Sequence, residues 1–138
     1  MLQKMLSTQF NDRKINISLL VLRSGVALLM MPHGYQKLVR YAEKKDEFMQ
    51  FMGMSPSMSL ALVIFAELFC AGFLAIGLFS RLALVPLVIT MCVAVFDAHS
   101  FDILGEGQLA FVYLISYFIL LYAGPGRISV DQLLFNKK

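Results

Sequence analysis

Charge is what this sequence has least of: only 15% of its 138 residues are Asp, Glu, Lys or Arg, against 59% hydrophobic. A water-soluble globule of this size must cover its core with polar side chains. Twelve Lys/Arg and nine Asp/Glu, gathered near the ends and in loops, cannot supply that cover. A soluble enzyme is thereby excluded, and so is a disordered chain, which needs low hydrophobicity. A basic stripe interleaved with aromatics is also missing, so the net charge of +3 does not point to nucleic acid; the excess suits basic flanks beside anionic headgroups. Cysteine is scarce. Cys70 and Cys92 lie in apolar runs without CxxC spacing, read as small core residues, and leave the redox compartment undefined. No small-x-small cleavage site follows the first apolar run, so a removed signal peptide is not expected. Low-complexity segments and internal repeats are absent from the sequence.

Long apolar runs fill the chain instead, and its mean hydropathy is +0.73. A spanning helix needs ~20 mostly apolar residues. Four such spans are predicted: Ile17 to Val39, with Arg23 inside it and a Pro32-His33-Gly34 interruption near its end; Leu60 to Phe79, carrying Glu67; Leu82 to Ala98; and Gln108 to Ala123. The second and third are so close that they must form a tight antiparallel hairpin turning at Ser80-Arg81. The fourth stops at Gly124-Pro125-Gly126, where helix continuation is disfavoured. A soluble helical bundle would need helices polar on one face, and 82–96 has no such face. The expected fold is all-α, an integral membrane antiparallel four-helix bundle. Residues 1–14 read as a polar cytoplasmic tail, 15–126 as the spanning domain, and 127–138 as a second cytoplasmic tail. The longest linker, 40–59, carries Met49, Phe51, Met52 and Met54, which suit either the membrane surface or a cap on the bundle.

Four spans put both ends of the chain on one side. That side collects Lys4, Arg13, Lys14, Arg81, Arg127, Lys137 and Lys138, whereas the other has Lys37, Arg40, Lys44 and Lys45, diluted by acids. The bias places both termini in the cytoplasm.

Ionisable groups inside a membrane face the bundle interior or water and often mark function. On this topology His33 and Glu67 lie level in the outer half, ~9–10 Å below the outer boundary at a rise of ~1.5 Å per residue. Lys37 stacks one turn from His33. Tyr113 and Tyr117 reach the same half from the fourth span, and Asp97 and His99 close the third. His33, Lys37, Glu67, Asp97, His99 and Tyr113 therefore form a candidate ligand-binding cluster. Plainer roles compete at each position: Glu67 as helix-pairing glue, Lys37 snorkelling to headgroups, His33 satisfying backbone groups freed by a kink, Asp97 and His99 as loop-edge residues. Two histidines with scattered carboxylates do not compose a metal site. Arg23, deeper toward the inner side, is expected to reach headgroups or a backbone carbonyl.

Four separated pieces of the chain together carry a family resemblance. They are His33-Gly34-Tyr35-Gln36-Lys37-Leu38, Glu67, Gly77-Leu78-Phe79-Ser80-Arg81, and Gly124-Pro125-Gly126-Arg127-Ile128-Ser129-Val130-Asp131. In order and spacing, over Leu19 to Leu134, the chain resembles the DoxX family of small four-span membrane proteins. That resemblance implies a bundle in the cytoplasmic (inner) membrane. It also implies association with redox enzymes, since some relatives are subunits of a thiosulfate:quinone oxidoreductase. The family's recurrent polar positions fall here on Arg23, His33, Gly34, Lys37, Glu67, Arg81 and Asp131, and they supply no cofactor ligand set. The resulting expectation is an accessory or scaffold subunit of a redox process, with a quinone as the compatible cofactor. A redox protein or a second copy of the chain would be its partner in the bilayer. The competing expectation is a protein that binds or transports a small solute or lipid in an outer-half pocket; whether the chain has catalytic activity of its own is left open.

Overall fold

The computed structural model describes residues 1–136; Lys137 and Lys138, counted above for topology, lie outside them. Within those residues the only regular secondary structure is helix, and the chain forms a membrane bundle of three long apolar helices and a shorter one. A short α1 (Leu2–Met5) precedes α2 (Asp12–Val39), whose start is set by Asn11, its side chain accepting from Arg13 N at 2.9 Å. The predicted interruption at Pro32 does not occur: α2 runs unbroken to Val39. A lone proline removes one N–H, and Gly34 just beyond it lies flush against the next long helix, so packing carries α2 through. His33 is consequently not tied to freed backbone; it is exposed on the helix surface.

After the short α3 (Tyr41–Lys44), α4 spans Pro56–Ile76. It begins four residues before the expected Leu60 because Ser55 caps it, accepting from Met58 N at 3.3 Å, and Pro56 takes the first helical position, where a missing N–H costs nothing. α5 (Ser80–Ala98) and α6 (Gln108–Ala123) follow, then α7 (Val130–Phe135). At 16 residues, α6 is ~24 Å long, shorter than the ~30 Å hydrocarbon core of a typical bilayer.

The hairpin between α4 and α5 turns on Gly77 at φ +74°, with Leu78 N donating to Phe73 O at 2.9 Å. These are the marks of a left-handed helix stop that glycine alone enters freely. Phe79 then sits at φ +46°, a conformation non-glycine residues resist. It is held there by Asp131, whose carboxylate accepts from Phe79 N at 2.6 Å and Ser80 N at 2.9 Å and so caps α5 from far along the chain.

The core of the bundle is mostly aliphatic, with Tyr117 as a large aromatic member: Ala27, Met30, Ala66, Ala71, Leu74, Leu84, Leu87, Val95, Tyr117 and Leu120. Outside it, Leu28, Leu29, Phe69, Phe73, Leu82, Val85, Phe118 and Ile119 stand exposed. An apolar exterior on this scale belongs against lipid rather than water.

Candidate functional site

Two of the long helices are locally unwound. Phe65–Cys70 within α4 and Ala94–Ala98 at the end of α5 are π-helical, and His99 N reaches back to Ala94 O at 3.1 Å. Such segments recur at functional sites because they displace side chains from the regular helical register. Glu67 lies in the first and is buried. Side chains of a helix lean toward its N-terminus, so Lys37, near the top of α2, is directed down toward Glu67. Its Nζ donates to Glu67 Oε2 at 2.5 Å, with side-chain exposures of 30% for Lys37 and 4% for Glu67. Gly34 makes this approach possible. A Cβ there would lie 2.8 Å from both the Glu67 carbonyl carbon and Leu68 N, so any larger residue would push α2 from α4.

A cavity of about 480 Å³ lies between α4 and α5, with Lys37 and Glu67 on its wall and an otherwise mostly apolar lining that includes Leu62, Val63, Ile89 and Val93. Volume and lining are those of a small-molecule site. Its vertical extent follows from the hairpin: Glu67 stands nine residues above Ile76 and Ile89 nine above Ser80, so Glu67 is level with Ile89 and Thr90. Ser59, eight residues further up α4, lines the shallow end ~12 Å away. The linker closes that end. Ser59 Oγ accepts from Phe51 N at 3.1 Å and donates to Ser55 O at 3.0 Å, and Tyr41 Oη donates to Ser57 O at 3.2 Å. Phe48, Met49 and Phe51 are thereby set over the cavity.

Of the six residues singled out in the sequence, Lys37, Glu67 and His99 border the cavity. His33 and Tyr113 meet each other instead, edge to face with centroids 6.4 Å apart, and Tyr113 stacks on Tyr117 at 6.0 Å. Asp97 is exposed at the end of the second π segment. Thr90 and Ser59 also line the cavity. Sequence reasoning passed over both, Thr90 because it is a single hydroxyl in an apolar run and Ser59 because it reads as linker. The π segments left no signal in the periodicity.

Among the described residues no group of three or more His, Cys, Asp or Glu is arranged to hold a metal ion. At the opposite end of the bundle, the remaining motif residues assemble a different structure. Arg23, 1% exposed, donates to Pro125 O at 2.5 Å and Ile128 O at 2.9 Å, so the backbone carbonyl, of its two expected targets, is the one it reaches. Asp131 N donates to Gly77 O at 2.9 Å, and Asn16 Oδ1 accepts from Arg127 N at 2.6 Å.

Fold and site together define a polytopic helical membrane protein with a polar ion pair on the wall of an intramembrane cavity. The DoxX family model matches residues 18–100. This is more than half of the chain, which belongs to the DoxX family. The match covers the His33-to-Leu38 segment, Glu67 and the hairpin motif, and stops before Gly124. No curated protein and no solved structure matches the chain.

Proposed function

We propose that the chain is an accessory subunit of a redox process in the cytoplasmic membrane and that its cavity holds an amphiphile of the quinone class. The observation that carries this reading is the Lys37–Glu67 pair on the wall of an otherwise apolar cavity. An apolar ring and tail suit the lining, Lys37 is a donor for a carbonyl oxygen, and the Glu67 carboxyl can hold or release a proton at that oxygen. The electrons belong to a redox partner in the same membrane. The candidate binding residues are those named from the sequence: Lys37, Glu67 and His99, which line the cavity, and His33, Tyr113 and Asp97, which lie outside its lining. A membrane lipid held in the same cavity is the second reading, favoured by the apolar lining.

The test is a comparison of Glu67→Gln with Glu67→Leu in lipid nanodiscs, scoring folding yield apart from quinone binding and from proton uptake when the bound quinone is reduced by an added two-electron chemical reductant. Gln keeps hydrogen-bonding groups but cannot titrate. A well-folded Glu67→Gln variant that binds quinone yet is as defective in proton uptake as Glu67→Leu supports proton chemistry. Normal behaviour of both variants removes Glu67 from any site. Native mass spectrometry that finds phospholipid rather than quinone retained on the protein selects the second reading.

For topology, the Lys/Arg count supports cytoplasmic termini. In a Cys-free background, cysteines at Asn136 and Lys45 are expected to label from opposite sides with an impermeant thiol reagent. Labelling at Asn136 from outside intact cells would invert the orientation.

A further inference from the structure

The lining residues of the cavity differ in what they face. Leu62, Phe65 and Ile89 are 45%, 47% and 47% exposed and lie on the outward faces of α4 and α5, among the apolar side chains that meet lipid. Above them, Met49 and Phe51 roof the shallow end, and the roof is pinned by the Ser59 and Tyr41 hydrogen bonds. The polar groups Glu67, Lys37 and Thr90 lie at the deep end. Side-chain hydrogen bonds in the described residues engage Glu67 and Lys37 with each other and leave Thr90 Oγ1 unengaged.

We infer that the cavity is loaded sideways from the acyl-chain region of the bilayer, through the gap between α4 and α5. Its ligand is accordingly a membrane-dissolved amphiphile with a neutral hydrogen-bonding head, with Thr90 as an additional contact for that head. An internally paired ammonium and carboxylate present a dipole and no net charge, so they favour a neutral head over an anion or cation. A bilayer-dissolved molecule reaches the mouth without crossing the roof. The ligand class and the role of Thr90 rest on the binding function proposed above; the position of the mouth does not.

The chain has no tryptophan, so Val93→Trp places a single fluorophore on the cavity wall. In vesicles, lipids brominated along the acyl chain are expected to quench it strongly and aqueous iodide weakly, with Phe51→Trp on the roof as the reference. Strong iodide quenching with weak quenching by brominated lipid would overturn the lateral mouth, as would resistance to both. Uptake supplies a second arm that does not depend on Val93→Trp folding. Ile89→Phe, which narrows the mouth, is expected to slow transfer of a long-tailed quinone from vesicles by about tenfold, while Met49→Ala leaves it unchanged. Faster uptake in Met49→Ala, or an unchanged rate in Ile89→Phe, would show loading through the roof and refute the inference. Thr90→Val is expected to weaken quinone binding by about tenfold, and unchanged affinity removes Thr90 from the site. If the wild type binds no quinone while lipid quenching is strong, the binding reading fails and the mouth stands.

Discussion

Arg23 and Lys37 are both cations on α2, and their surroundings are opposites. Arg23 is sealed in, and its two terminal nitrogens hold the backbone of the segment after α6. Lys37 has one carboxylate partner, remains 30% exposed along its side chain and borders an open cavity. At one end of the bundle the terminal nitrogens of Arg23 hold two backbone carbonyls and tie segments together, whereas at the other the Lys37–Glu67 pair stands on a cavity wall. Two cations on one helix can therefore divide cleanly between architecture and a site.

The largest expected effect is at the sealed end. Arg23→Ala leaves the Pro125 and Ile128 carbonyls without their donor, at ~1–3 kcal/mol each. A loss of about 4 kcal/mol is expected in thermal unfolding of the reconstituted protein. Arg23→Lys should recover little, because a single ammonium lacks the guanidinium fork. Full stability in Arg23→Lys would erase the distinction between the two cations.

The open end should respond asymmetrically. Lys37→Met abandons a buried carboxylate, for which ~3 kcal/mol is expected. Glu67→Leu abandons an ammonium that can swing to the surface, costing about 1 kcal/mol. Equal losses in chemical unfolding would mean that Lys37 is as confined as Glu67.

Gly34→Ala tests the contact that joins α2 to the site. With the added Cβ colliding with the Glu67 backbone, overpacking of about 2 kcal/mol is expected, accompanied by weaker quinone binding. An unchanged affinity together with the stability loss would separate helix packing from site geometry.

The smallest effect is expected at Tyr117, whose hydroxyl is buried without a partner. Tyr117→Phe removes a buried polar group that makes no bond and is expected to raise stability by about 1 kcal/mol. A loss of stability instead would reveal a hydrogen bond at the Tyr117 hydroxyl.

Composition made the bundle legible. α6 coincides with its predicted span, since a charge-free apolar run ended by Gly124-Pro125-Gly126 admits one reading. The start of α4 was legible too, in Ser55-Pro56, but hydropathy drew the boundary at Leu60 by weighing apolar content over capping. The expected break at Pro32 came from treating proline as a local stop, when the packing of Gly34 on α4 decides the matter. Depth arithmetic places His33 and Glu67 at similar levels, and the Gly34 contact puts them there in the structure. Depth cannot assign azimuth, however, and on α2 Lys37 turns to Glu67 while His33 turns to Tyr113. The cavity had no linear signature, because it is a gap between helices flanked by π segments that a 3.6-residue period does not register.

The Asp131 cap on α5 has a consequence for biogenesis. The N–H groups of Phe79 and Ser80 wait for a carboxylate that lies 51 residues beyond Ser80, on the far side of two more membrane crossings. While the chain is being made, the hairpin is therefore an unsealed joint. It closes only when the fourth crossing is complete and has returned the following segment to the side on which the hairpin turns, so a chain inserted with one crossing too few would lack the means to close it.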